Sequence, residues 1–160
     1  MALAIRPAVP ADGPLILSFI RELAEYERLL HEVDATSAMI EVALFGPHPR
    51  IFCDVAEWAG EPAGFALWYY TFSTFQGRHG IYLEDLFVRP AHRGRGLGKA
   101  LLERLAARTR EEKLGRLEWS VLDWNEPSIA FYRSLGAEPV DGWTRYRLAG
   151  EPLQALGIRA

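Results

Sequence analysis

The chain has 160 residues, of which 49% are hydrophobic and 24% charged. That fits one globular domain with a substantial core and excludes a disordered or fibrous chain. Eighteen basic residues stand against 21 acidic ones, so no basic surplus points to nucleic acid. No apolar run approaches the ~20 residues of a membrane span. The one cysteine, Cys53, excludes an internal disulfide and a multi-cysteine metal site, and no signal-like stretch opens the chain; the expected compartment is cytoplasmic.

Taken in chain order, Ala2 to Arg6 reads as a short edge strand ending at Pro7. Asp12 is placed to cap a helix with Pro14 in its first turn. Leu15, Ile16, Phe19, Ile20, Leu23 and Ala24 recur at three- and four-residue steps, which predicts an amphipathic helix reaching about Leu30. Thr36 or Ser37 caps a second helix through Leu44, stopped by Gly46-Pro47. Two strands follow, Arg50–Trp58 and Ala63–Phe72, with Gly60-Glu61-Pro62 as their turn. The second of these is almost wholly apolar and should be central. Ile81 to Arg89 is a fourth strand, and the leucines 97, 101, 102 and 105 line one face of a helix ending near Gly115. Arg116–Leu122 reads as a fifth strand. Asn125 caps a helix with Pro127 in its first turn and Gly136 beyond its last. Trp143–Leu148 alternates as a last strand, and the tail from Glu151 forms one weak helical turn. This alternation predicts a mixed α/β (α+β) sheet with helices on its faces, in a single domain over 1–160.

The stretch from Tyr82 to Lys99 carries the chemistry. Glu84 and Asp85 sit in an otherwise apolar strand, and Gly94, Gly96 and Gly98 then open a helix at alternate positions. Such glycines leave backbone N–H groups uncovered, and the helix N-terminus adds unpaired donors and partial positive charge. The combination predicts a phosphate or pyrophosphate cradle. It is not a Walker loop, because Ala100 follows Lys99 and no glycine lies five residues before Gly98. The dinucleotide fingerprint also fails, since it would need a glycine or alanine where Lys99 or Leu101 stands. The four histidines share no ligand spacing, so no metal site is expected.

Arg93-Gly94-Arg95-Gly96-Leu97-Gly98, reached from a strand ending Leu86-Phe87-Val88-Arg89-Pro90, resembles the coenzyme A pyrophosphate loop of the GNAT superfamily of N-acetyltransferases. Asp123-Trp124-Asn125-Glu126-Pro127-Ser128, running on to Phe131-Tyr132, resembles a later motif of the same superfamily. Together with Tyr82 to Val88, Glu22 to Glu27 and Gly142-Trp143, these stretches are similar to the diamine (spermidine/spermine and thialysine) acetyltransferase subgroup. The resemblance implies a twisted sheet of six to seven strands, splayed between strands four and five and flanked by about four helices.

It also implies roles. Acetyl-CoA would be the cosubstrate, held by Leu86, Phe87 and Val88 along the strand, by Arg93, Gly94, Arg95, Gly96, Leu97, Gly98 and Lys99 in the loop, and by Asn125 and Ser128. A plain helix cap is an equal reading of Asn125. Glu84 would be the base, with a pair to a neighbouring arginine as its alternative, and Tyr132 the acid. Tyr26, Glu27, Glu84, Asp85 and Asp123 would give the substrate-binding mouth a cation-attracting character. Tyr69, Tyr70 and Phe75 are candidates for its aromatic walls. The implied reaction acetylates a primary amine of a small polyamine, diamine or thialysine-like amino acid in a homodimer, with no nucleic-acid, membrane or metal partner. Other acceptors (a protein N-terminus or lysine, an amino acid, an antibiotic) and a non-catalytic acyl-CoA sensor are the alternatives.

Overall fold

A computed structural model describes residues 2–158. They form two compact units, residues 2–122 and residues 123–158.

In the first unit, strands β1 (Leu3–Pro7), β2 (Phe52–Trp58), β3 (Glu61–Ser73), β4 (Arg78–Val88) and β5 (Leu117–Trp119) build one sheet in the order β1-β2-β3-β4-β5. The first four pair antiparallel and β5 joins β4 in parallel. Helices α1 (Gly13–Tyr26) and α2 (Ser37–Phe45) cover one face. There Ile16 and Phe19 of α1 and Ile40 and Leu44 of α2 meet Cys53, Val55, Phe65, Leu67 and Phe87 in one apolar cluster. Phe19 stacks on Phe65 at 5.2 Å, and neither ring retains exposed surface. Helix α3 (Leu97–Glu111) takes the other face and buries the four leucines at 97, 101, 102 and 105. The expected leucine stripe is therefore what seats it.

Some boundaries differ from the sequence reading. Helix α1 stops at Tyr26 because Arg28 adopts φ 62° and its amide, with that of Leu29, bonds back to Glu25 and Ala24. That is a left-handed helix end without the glycine that usually announces one. Asp12 precedes α1 but does not cap it with its side chain. Its carboxylate instead accepts from both terminal nitrogens of Arg6, at 2.6 and 3.0 Å, and from the Val9 amide. Arg6 holds that carboxyl below its ordinary value. Thr36 does cap α2, its hydroxyl accepting from the Met39 amide.

The sheet has five strands rather than six or seven, and β5 is shorter than expected. It pairs with β4 only from Ile81 to Leu83. Beyond that point β4 continues to Val88 paired with β3 on one side and, among the described residues, with no strand on the other, which is the expected splay. In the second unit, α4 (Glu126–Ser134) lies where Asn125, Pro127 and Gly136 predict it. The tail forms a nine-residue helix, α5 (Gly150–Ile158), longer than one turn. Trp143 to Leu148 is not a strand. Its alternating pattern finds no neighbouring strand among the described residues, and Trp143 and Tyr146 are 82% and 91% exposed.

Candidate active site

The residues the sequence singles out in the first unit converge on the C-terminal half of β4. A β-bulge organises them. Trp68 of β3 lies opposite Leu83, but the next residue back, Leu67, lies opposite Asp85, so Glu84 is the extra residue. A regular strand would turn Asp85 to the α3 face, beside Leu83. The bulge turns it to the α1 face instead, in a row with Leu67 and Cys53. Glu84 is left exposed at the bend.

Asp85 lies within electrostatic reach of Glu84 and of Glu27, the residue that closes α1. Burial among apolar neighbours, then the charges of Glu84 and Glu27, push its carboxyl up to about 7 from an ordinary 3.8. Burial raises the Glu27 carboxyl in the same direction. Cys53, deep under the same face, has its thiol pushed far up by burial and by the carboxylates of Asp54, Asp12 and Asp85, so it is not a nucleophile near neutral pH. Three carboxyls thus share one mouth. A cation there would lower all their proton affinities at once, and a carboxyl titrating near neutrality is suited to proton transfer.

The bulge also sets which backbone groups are free. The Arg89 amide bonds to Ala63 of β3, so on an antiparallel strand Phe87 also faces β3 while Leu86 and Val88 point to the open edge. Leu86 and Val88 can therefore form a rail for an extended ligand. Phe87 cannot, because its ring is buried in the core and its backbone serves β3. The Val88 carbonyl already accepts from Arg93 Nε at 2.9 Å.

After β4, a 3₁₀ turn (Pro90–His92) leads into the glycine loop. Gly94 and Gly96 have φ of 76° and 83°, and a Cβ built on either would meet nothing within 4 Å. Gly96 caps α3 without a side-chain bond. The first amides of α3 therefore face an open, Cβ-free cradle. These features fit the pyrophosphate of an acyl-CoA, held chiefly by backbone donors. The basic side chains around the loop are largely engaged elsewhere. Arg93 lies over the rings of Tyr26 and Phe87, at 5.1 and 5.5 Å, and Arg95 over Trp58 at 4.8 Å. Lys99 pairs with Glu103 at 3.6 Å. Arg89 turns away altogether, bonding Glu22 and Ser18 and covering Phe19. Leu97 is buried and can offer only its amide.

Of the expected aromatic walls, Tyr69 stacks with Tyr82 at 5.3 Å, and Phe75 is wholly exposed on a turn. Tyr70 belongs elsewhere: it lies on the α3 face, its hydroxyl donating to Glu112 at 2.6 Å. In the second unit Asn125 is buried and caps α4, accepting from the Ser128 amide at 3.3 Å. Ser128 and Tyr132 follow one turn apart on that helix, Tyr132 beside Phe131 at 5.6 Å. Asp123 is exposed. Among the described residues no group of three or more His, Cys, Asp or Glu is arranged to hold a metal ion.

Sequence reasoning missed the turning of Asp85 and the laying of Arg93 on Tyr26. Nothing in Tyr82-Leu83-Glu84-Asp85-Leu86 marks a bulge, since no glycine or proline stands there. Only the pairing register reveals it.

Comparison with known proteins bears on this arrangement. The model of the acetyltransferase (GNAT) family matches residues 17–137. The chain is 37% identical to the thialysine N-epsilon-acetyltransferase of Bos taurus over 95% of each chain. It is 29% identical to an L-ornithine N5-acetyltransferase of Arabidopsis thaliana, over 95% of this chain and 86% of the relative. Among solved structures, an integron cassette protein from the mobile metagenome of V. cholerae superposes with a TM-score of 0.81 at 26% identity, covering 98% of both chains. With a glycine cradle at the head of α3, an open edge on β4 and a family match over most of its length, the chain belongs to the GNAT family of acetyltransferases and is an N-acetyltransferase.

Proposed function

We propose that the protein acetylates a primary amine of a small molecule that carries a second positive charge, such as a diamine, a polyamine or a thialysine-like amino acid. The observation that carries this reading is the trio Glu27, Glu84 and Asp85 beside the glycine cradle. Three carboxyls, two with raised proton affinity, favour a ligand that brings positive charge to them. The similarity to proteins named for thialysine and ornithine acetylation supports the same substrate class.

Family members use acetyl-CoA, which supplies the acetyl group as a reactive thioester. In this chain the amides of Gly94 to Lys99 would hold its pyrophosphate, with Leu86 and Val88 as the rail for the extended arm. By the family resemblance Asn125 and Ser128 also contact the cofactor, Asn125 keeping its cap to α4. Glu84, exposed at the bulge, removes the proton from the attacking ammonium, directly or through water, since a free alkylamine is protonated up to a pH near ~10.4. Asp85 and Glu27 hold the substrate's second cation, with Tyr26 next to Glu27 in the chain; the family resemblance adds Asp123 to the substrate-binding residues. Tyr132, with a phenol pKa near ~10, returns a proton to the departing sulfur. The working form is a cytoplasmic homodimer, which light scattering would contradict by a monomer mass.

The test is release of free thiol from acetyl-CoA on addition of an amine panel to purified protein. Turnover with dicationic amines is expected. Thiol at background with every amine, while acetyl-CoA still binds, would refute the reading.

A further inference from the structure

On the α3 face, away from Asp85 and Glu27, a second site is built around Asp54 and Trp68. Phe52 of β2 lies opposite Trp68 of β3, so Asp54, two residues on, is its diagonal neighbour. The Phe52 and Trp68 rings stack at 4.8 Å, and Tyr70 meets both edge-on at 5.5 and 5.2 Å. Two arginines one turn apart on α3 reach down to them. Arg104 Nε donates to Asp54 Oδ1 at 3.1 Å, and the Arg108 guanidinium lies 5.1 Å above the Trp68 ring. Phe52, Asp54, Trp68, Tyr70 and Arg108, with Cys53, line a cavity of about 280 Å³ whose apolar end is formed by Pro7, Ala8, Leu44, Phe45 and Ile51.

Three buried polar atoms of this lining have no hydrogen-bond partner: Asp54 Oδ2, Trp68 Nε1 and Arg108 Nε. Asp54 and Trp68 are each only 3% exposed. Buried polar groups in native proteins are rarely left unpaired, and each unmade bond leaves the full desolvation cost of its group. Three beside one cavity amount to one acceptor and two donors awaiting the same occupant.

Charge decides the occupant's class. Asp54 is neutralised by Arg104 at 3.1 Å and Glu112 by Arg108 at 3.5 Å, so an ion would add an uncompensated charge to a buried place. A neutral molecule that presents a donor beside an acceptor answers the three atoms without one. The edge of a carboxamide or lactam has that pattern, and a flat ring behind it suits the aromatic wall. Benzene occupies a cavity of roughly 150 Å³, so 280 Å³ leaves room for a ring bearing one amide. We propose that this cavity binds a small, neutral, planar carboxamide or lactam, whose N–H donates to Asp54 Oδ2 and whose carbonyl accepts from Trp68 Nε1 or Arg108 Nε. The three atoms are closed to bulk water, so the ligand reaches them by turning the half-buried, edge-on Tyr70 ring outward, while Phe52 and Trp68 stay stacked as the wall. None of the cavity's polar lining residues belongs to the acetyl-transfer site, and Arg108 stands eleven residues, about 16 Å, along α3 from Leu97.

Benzamide is the probe, followed through the indole N–H resonance of Trp68 in the ¹⁵N-labelled full chain. Trp68→Phe assigns that signal among the five tryptophans. Benzamide should move it saturably, half-maximally at or below about 1 mM, with nuclear Overhauser contacts from its ring to the Trp68 indole. Benzoate, the same shape with a charge and no N–H, should act at least tenfold more weakly. Ala8→Leu, which fills the apolar end, should abolish the response while the other four indole signals stay in place. If that variant does not fold, the contacts in the unaltered protein decide alone. No saturable movement up to 10-fold above that range, equal response to benzoate, or contacts to Tyr26 or Leu86 instead of Trp68 would each overturn the proposal.

Discussion

Replacing Asp85 by Asn should stabilise the protein, and the gain should grow with pH. An unfolded aspartate releases its proton near its ordinary 3.8, while Asp85 in the folded chain holds it to about 7. Between those values the native state binds more protons than the unfolded state, so stability falls as pH rises through this window and levels off above it. At about 1.4 kcal/mol per pH unit the full penalty has a ceiling near 4 kcal/mol. Asp85 is only half-buried, and water around Glu84 screens part of the repulsion, so roughly 1–2 kcal/mol is expected. For a chain of this length that corresponds to a melting temperature raised by about 3–6 °C at pH 8. The gain should shrink to a small fraction near pH 4. Thermal unfolding of both proteins at several pH values measures it. A difference independent of pH, or a loss of stability at pH 8, would show that Asp85 is not the strained carboxyl the bulge makes it.

Other outcomes follow from the same geometry. Glu84→Gln and Tyr132→Phe should each lower kcat by at least tenfold with no loss of melting temperature, in a thiol-release assay; wild-type rates would remove their proposed roles. Gly96→Ala adds a Cβ to an open cradle at φ 83°, so it should cost about 1 kcal/mol of stability and weaken acetyl-CoA binding about tenfold by calorimetry. Gly64→Ala is a purely structural control. Its Cβ would stand 2.5 Å from the Phe87 carbonyl oxygen, and β3 cannot yield without parting from β4, so a loss of ~2–4 kcal/mol by urea unfolding is expected. Arg104→Met leaves the buried Asp54 carboxylate without its partner and should cost about 3 kcal/mol.

Much of this was legible in the residues, and for physical reasons. The leucine stripe of α3, the Thr36 cap, the Asn125 cap and the glycine cradle are local signals, and each holds within a few residues of where it is read. What depends on a distant partner was not legible. Arg89 ends the strand that leads into the cradle, yet Glu22 and Ser18, some 70 residues earlier, claim its side chain. Trp143–Leu148 has a strand's alternation, but alternation says only which side would be buried, not that a neighbour exists. The bulge at Glu84 is a property of two strands in register. The sequence therefore shows two acids side by side where the fold turns one to α1 and leaves the other in the open.

The central claim is that the acidic mouth selects an amine with a second positive charge. The most direct measurement compares kcat/KM for a short diamine with that for the alkyl monoamine of the same length, both with acetyl-CoA at saturation. A preference of at least tenfold for the diamine, falling toward unity in Asp85→Asn, is predicted. Equal efficiency for the two amines in the unaltered protein would contradict the account.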